Sequence, residues 1–229
     1  MSARLTLLAV SALVSIPSVA SAVNVLTDPS FELNPLTTIS NVLTNIPGFQ
    51  GQWGQENTVI WTGPDGFVNP DSFSRMLKVD STGGSYSQTG QCIDVSAYAA
   101  DIDAGNVTVA MGAMFNADLP AADGSASLSF IDSSGVFGNF TGPDLATGNV
   151  TIDALASTWQ PIGLGNTMPT GTRWLFFQVA YRDVTLLDNQ GLVGSGYVDS
   201  AIVDIQVVPE PTTLAALGLV GMLALRRRA

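Results

Sequence analysis

Apolar residues fall on every second position in four stretches: Val107, Val109, Met111, Ala113 and Phe115; Leu128 and Phe130; Leu175, Phe177, Val179 and Tyr181; and Val203, Ile205 and Val207. A period of two places such residues on one face of an extended strand, so each stretch predicts a strand with one buried side. Turn-forming runs lie between them, among them Asp132-Ser133-Ser134-Gly135, Thr141-Gly142-Pro143-Asp144 and Pro169-Thr170-Gly171. No stretch shows a helical apolar stripe of three turns or more. The pattern predicts an all-β domain of about ten short antiparallel strands, a β-sandwich or jelly roll whose two sheets bury a common core. The segment Asn34–Asp71, rich in Gly, Pro and Asn, is expected to form long loops at one end of it.

Both chain ends break this pattern. Arg4, the apolar run Leu5–Val14 and the small residues Ala20-Ser21-Ala22 make a signal peptide over residues 1–22, with Ala20 and Ala22 at the cleavage site and Val23 as the first mature residue. At the other end Val208-Pro209-Glu210-Pro211 leads into the 14 apolar residues Thr212–Leu225 and then Arg226-Arg227-Arg228. As a helix this stretch would reach ~21 Å, short of the ~30 Å hydrocarbon core, which makes a marginal transmembrane helix. The arginines favour the cytoplasmic face and leave the preceding domain outside, the same topology that the signal peptide gives. Three parts result: 1–22, the domain 23–208, and the tail 209–229.

Charge narrows the functions open to the domain. Residues 23–208 hold four cations (Arg75, Lys78, Arg173, Arg182) against eighteen acids, a net charge of −14. Nucleic acid, held mainly through its phosphates, is excluded as a partner. The chain has no histidine, which removes Ser-His-Asp and Cys-His catalysis and the usual zinc sites. The one cysteine, Cys92, has no partner for an internal disulfide and reads as an apolar strand residue.

Pro209-Glu210-Pro211, the Gly- and Ala-containing apolar stretch and Arg226-Arg227-Arg228 together resemble the PEP-CTERM sorting signal. That resemblance implies handling at the inner membrane by a processing protease of the exosortase type, and delivery to the cell surface or extracellular matrix with transient or retained C-terminal anchoring. The domain has its own resemblance. Asn24–Glu32 looks like the opening strand and turn of galactose-binding-like sandwiches, the fold of many carbohydrate-binding modules. Ser87–Val95, Thr158–Ile162 and Gly196–Asp199 match later strands of the same fold in order.

In such modules the acid of the opening turn and an acid of the closing strand contribute to a structural calcium site. Glu32 and Asp199 occupy those positions, while Ser200 stands where the family has a second Asp. Two readings are open for the pair: calcium ligands or solvated carboxylates. Trp53 and Trp61, with Asn57 and Asp65 nearby, are the candidate ligand-binding set in the irregular region, joined by Phe49, Phe67 and Asn69. Aromatic faces stack on sugars and the amide and carboxylate groups hydrogen-bond hydroxyls; the competing reading is that these rings pin loops to the core. Trp159 and Trp174 read as core residues. The function expected is a non-enzymatic surface protein that associates with exopolysaccharide. A matrix component binding other proteins is the alternative, and an Asp/Glu-dependent glycoside hydrolase is third, with Glu32 and Glu56 the only glutamates in the domain.

Overall fold

The computed structural model describes residues 22–33, 53–56, 58–80, 87–117, 122–153, 155–183 and 195–208. Twelve strands run through the described residues: β1 (Val23–Asn24), β2 (Gly54–Glu56), β3 (Thr58–Thr62), β4 (Arg75–Asp80), β5 (Ser87–Asp94), β6 (Val107–Ala117), β7 (Ala122–Ile131), β8 (Leu145–Ala146), β9 (Val150–Thr151), β10 (Gln160–Thr167), β11 (Trp174–Asp183) and β12 (Ser195–Val207). One sheet has the order β10-β6-β12-β4-β3 with β1 against β12; the other has β2-β5-β11-β7-β8 with β9 against β7. Every pairing is antiparallel. Four of the twelve, β1, β2, β8 and β9, are pieces of two or three residues, too short to carry a periodic signal.

The apolar alternation is the fold. Its members on β6, β7 and β11, together with Val203 and Ile205 of β12, are buried in a single core between the sheets, and Val207 packs at its margin. Cys92 faces outward from β5, buried with Ile131 and Phe176, and burial pushes its thiol up to about 11. Among the described residues the α-helix is a single five-residue piece, α1 (Ala99–Asp103), which follows a 3-10 turn at Ser96–Tyr98 and buries Ile102 in the core.

Part of the segment expected to be loop is strand. β3 sends Thr58 and Ile60 inward, keeps Val59 and Trp61 on the other face, and pairs with β4 over its whole length. Val59, Ile60 and Trp61 favour extended backbone, and this outweighs the surrounding Gly and Asn. Residues 34–52 lie outside the described residues.

Strand polarity sorts the connections between two poles. Val23 pairs with Ile205 and Val107 with Val207, so the beginning of β1 and the end of β12 share one pole. The connections 95–106, 132–144 and 168–173 belong to that pole too, tied by Val95 N–H to Arg173 O (2.9 Å), Arg173 N–H to Ile131 O (2.9 Å) and Met168 N–H to Val107 O (2.9 Å). Gly196, which pairs with Ala117, lies at the far pole.

Gly196 sits where the sheets approach closely. A Cβ added there would lie 2.1 Å from the ring of Tyr181, itself fully buried. Gly196→Ala is therefore expected to destabilise the fold by about 1–3 kcal/mol through overpacking, read as a lower urea midpoint with an unchanged slope.

Candidate functional site

The β3–β4 connection, Gly63–Ser74, is closed at its base by Gly63 N–H donating to Ser74 O at 2.8 Å. Within it Asp65 and Val68 exchange both backbone hydrogen bonds, at 2.9 and 3.0 Å, around the two-residue turn Gly66-Phe67. Gly66 has φ +59°, which suits a glycine at the first turn position and leaves Phe67 at the tip. The Asp65 carboxylate is held by Lys78 at 2.8 Å and by the Tyr197 hydroxyl at 2.9 Å, and Lys78 lies over the Trp61 ring at 4.9 Å. Val68, Met76 and Tyr197 form a small buried cluster beneath, with Trp61 and Trp159 partly buried against it. The indole N–H of Trp159 donates to Asn69 O at 2.9 Å, and that of Trp61 to Pro64 O at 3.3 Å.

The second half of the loop is gripped by the two acids singled out from the sequence. Glu32 accepts from Ser74 N–H (3.0 Å), Ser74 Oγ (2.8 Å) and Arg75 N–H (2.6 Å), while Arg75 Nη1 donates back to the Glu32 carbonyl at 2.9 Å. Asp199, fully buried, accepts from Ser72 N–H (2.9 Å), Ser72 Oγ (3.0 Å) and Ser200 N–H (2.6 Å), and Ser200 Oγ donates to Asp71 at 2.8 Å. Phe73, between the gripped serines, is driven to φ +51°, a left-handed conformation a residue with a Cβ rarely adopts. The result is a braced loop that holds Phe67 89% and Phe73 87% exposed, with Leu33 80% exposed nearby in the chain on the turn that carries Glu32.

These surroundings shift the two acids oppositely. Desolvation works against ionisation of Glu32, but the Ser74 and Arg75 donors and the Arg75 charge outweigh it and hold the carboxyl below its usual value. Burial dominates at Asp199 and, with the like charge of Asp71, pushes it up to about 6 against the pull of the Ser72 and Ser200 donors.

Both acids of the candidate calcium pair grip the same loop segment. Each carboxylate spends its oxygens on N–H and O–H donors of the 72–75 turn, and among the described residues no group of three His, Cys, Asp or Glu is placed to hold a metal. The aromatic set divides as well. Trp53 is 3% exposed, packed at 4.9 Å on Phe31 and 6.1 Å on Phe177, with its N–H on Asp28 O at 3.0 Å. It pins the opening turn to the core and offers no face to a ligand. Trp61 and Asp65 remain at the loop, Asp65 engaged internally, and Trp159 and Trp174 lie partly buried in outer clusters rather than in the main core. The Asn57 and Phe49 side chains, the Ala20 cleavage residue and the tail residues Pro209, Glu210, Pro211, Arg226, Arg227 and Arg228 lie outside the described residues.

The sequence reading missed a second surface. On the outer face of the β11 sheet, Gln178 of β11 bonds Gln88 of β5, flanked by Ser125 and Ser127 of β7 and Arg182 of β11, all half-buried. Its signal was present as the polar half of the alternation whose apolar half marked the core.

The last strand ends at Val207, and the Pro-Glu-Pro sequence follows one residue later. Residues 207–228 match the PEP-CTERM protein-sorting motif. The chain carries that signal. No curated protein matches the sequence. Among solved structures, the enzymatically active domain of bacteriophage CBA120 tailspike protein 4 aligns at TM-score 0.50 and 16% identity, over 79% of this chain and 21% of that one. The TmCBM61 module in complex with β-1,4-galactotriose aligns at 0.49 and 11%, over 79% and 97%. The C-terminal family 22 carbohydrate-binding module of Clostridium thermocellum Xyn10B aligns at 0.44 and 14%, over 76% and 98%. The likeness to the tailspike domain is one of fold, the antiparallel β-sandwich. Among the described residues no helix is long and apolar enough to cross a membrane.

Asp199 makes stability depend on pH with a definite sign. Its native pKa, about 6, exceeds the ordinary 3.8, so the native state holds a proton that the unfolded chain releases between those values. Its contribution is complete below about pH 4 and is lost as pH rises through about 6. Asp199→Asn, which keeps an acceptor for the Ser72 and Ser200 donors, is expected to remove a decline of about 2–3 kcal/mol between pH 4 and 6.5, measured as urea unfolding free energies across that range.

Proposed function

We infer that the PEP-CTERM chain is exported to the cell surface or matrix and associates there with extracellular polysaccharide, using the braced loop Gly63–Ser74 as its contact. The observation that carries this reading is the near-complete exposure of Phe67 and Phe73 on a loop fixed by Glu32, Asp199 and the Asp65–Lys78 ion pair. A ring held in place stacks on a sugar face without first losing conformational freedom, and the acidic domain has no comparable attraction for anionic partners. The sorting motif supports the location, and with it processing by an exosortase-type protease and at least transient inner-membrane residence.

Binding rather than cleavage is the reading we favour, because Glu32 and Asp199 are committed to holding the loop; Asp103 is likewise tied to Arg173 and Asp153 to Thr158. Structural calcium remains a separate proposal. It would have to draw Glu32 or Asp199 away from the Ser72 and Ser74 donors, and melting the protein with calcium and with chelator tests it: an unchanged transition removes the ion.

Affinity electrophoresis of the full chain through gels containing the host's exopolysaccharide tests the main reading. Retardation is expected for the parent and is lost in Phe67→Ala with Phe73→Ala, at unchanged melting temperature because both rings stand in solvent. Gln178→Ala separates the two surfaces. If it abolishes retardation and the phenylalanine variants do not, the contact lies on the outer face of the β11 sheet instead; a parent that is not retarded at all leaves protein partners as the function.

A further inference from the structure

The pole where the chain leaves for its sorting tail carries an apolar knob whose outer faces neither the fold nor the loop contact uses. Val136, Phe137 and Phe140, on the connection after β7, are 51%, 49% and 46% exposed. The knob is braced from within: Asp132 accepts from Ser134 N–H (2.8 Å), Asn139 Nδ2 donates to Ser134 Oγ (3.0 Å), and Asp132 N–H donates to Asn139 O (3.1 Å). Phe137 meets Phe140 edge-on at 5.3 Å and covers Phe176 at 5.6 Å, so its inner edge serves the outer cluster while the rest faces water. Of the acids near the knob, Asp132 is bonded to Ser134 and Asp103 to Arg173 at 2.7 Å, while Asp144, four residues beyond Phe140, is exposed.

Chain length supplies the occupant. Only Val208, Pro209, Glu210 and Pro211 separate the end of β12 from the apolar stretch that begins at Thr212. Five Cα steps span at most about 18 Å, so whenever that stretch is inserted this pole stands within about 18 Å of the bilayer surface. Exposed Phe and Val held at that height partition into the headgroup boundary. We propose that Val136, Phe137 and Phe140 rest on the lipid interface while the tail is inserted, docking the domain on the membrane surface with its far pole outward. The proposal rests on the reading of Thr212–Leu225 as a membrane-inserted segment. With a net charge of −14, the domain contacts zwitterionic lipid through apolar area and is repelled by anionic lipid.

The full chain in phosphatidylcholine vesicles tests this. Cys92 is 3% exposed, so a spin label is directed to Val136→Cys, or to Leu155→Cys on the connection that leads into β10 at the far pole, where Leu155 is 59% exposed. Flotation with the vesicles reports tail insertion; collision with a water-soluble nickel complex reports docking. The Val136 label is expected to be several-fold better shielded from nickel than the Leu155 label, and Phe137→Ser with Phe140→Ser to abolish the difference. Phosphatidylglycerol in the vesicles should weaken the shielding, and a stronger shielding would overturn the apolar basis. Equal accessibility of the two labels in a chain that floats overturns docking alone; a chain that does not float overturns insertion and docking together.

Discussion

With no disulfide available, the two sheets are held by one dry layer of side chains between β6 and β12 on one side and β11 and β7 on the other. Phe115, Phe177, Tyr181 and Val203 are fully buried in it, and the remaining contacts are laid over this layer. Apolar area removed from water is the chief source of stability for such a sandwich, and close packing decides how finely the sheets must match. Gly196 shows the match at its tightest, since the Tyr181 ring occupies the volume a side chain would need. The outer faces meet that demand in places, as where the Phe176 ring lies against Gly90, and elsewhere hold half-buried glutamines and the carboxylate-braced loop.

On those faces the acidic residues act as fasteners. Glu32 reaches from the opening turn to Ser74 and Arg75, Asp199 from the last long strand to Ser72, and Asp65 to Lys78 and Tyr197. A carboxylate that accepts two or three N–H and O–H bonds can fix a loop with irregular backbone, and here it fixes Phe73 in a conformation costly for any residue with a Cβ. Rigidity and exposure of the two phenylalanines thus come from the same residues.

What could be read from the chain follows from where its signals repeat. The alternation on β6, β7, β11 and β12 announced both the strands and their buried face, because a one-sided strand writes its orientation into every second position. The Pro-Glu-Pro tail was legible for the opposite reason, being a compact motif that needs no tertiary context. Glu32 and Asp199 stood out in the sequence as a candidate metal pair; in the fold they accept from Ser72 and Ser74, whose approach depends on a left-handed turn at Phe73 that no local propensity favours. Trp53 misled because an aromatic beside glycines reads alike whether it faces solvent or Phe31 and Phe177; only long-range packing tells them apart.

The placement of β12 has a mechanical consequence. This strand leads directly toward the tail, lies between β6 and β4 in its sheet, and pairs with β4, which carries the exposed Phe67 and Phe73 loop. Being antiparallel, β12 and β4 turn their tail-side and loop-side ends the same way: Val207 lies beyond Val198, and Arg75 lies before Leu77, the partner of Val198. A pull applied at those two ends would part the β4–β12 ladder one bond after another from the Leu77–Val198 pair, so β12 holds its place in the sheet chiefly through its ten-position pairing with β6.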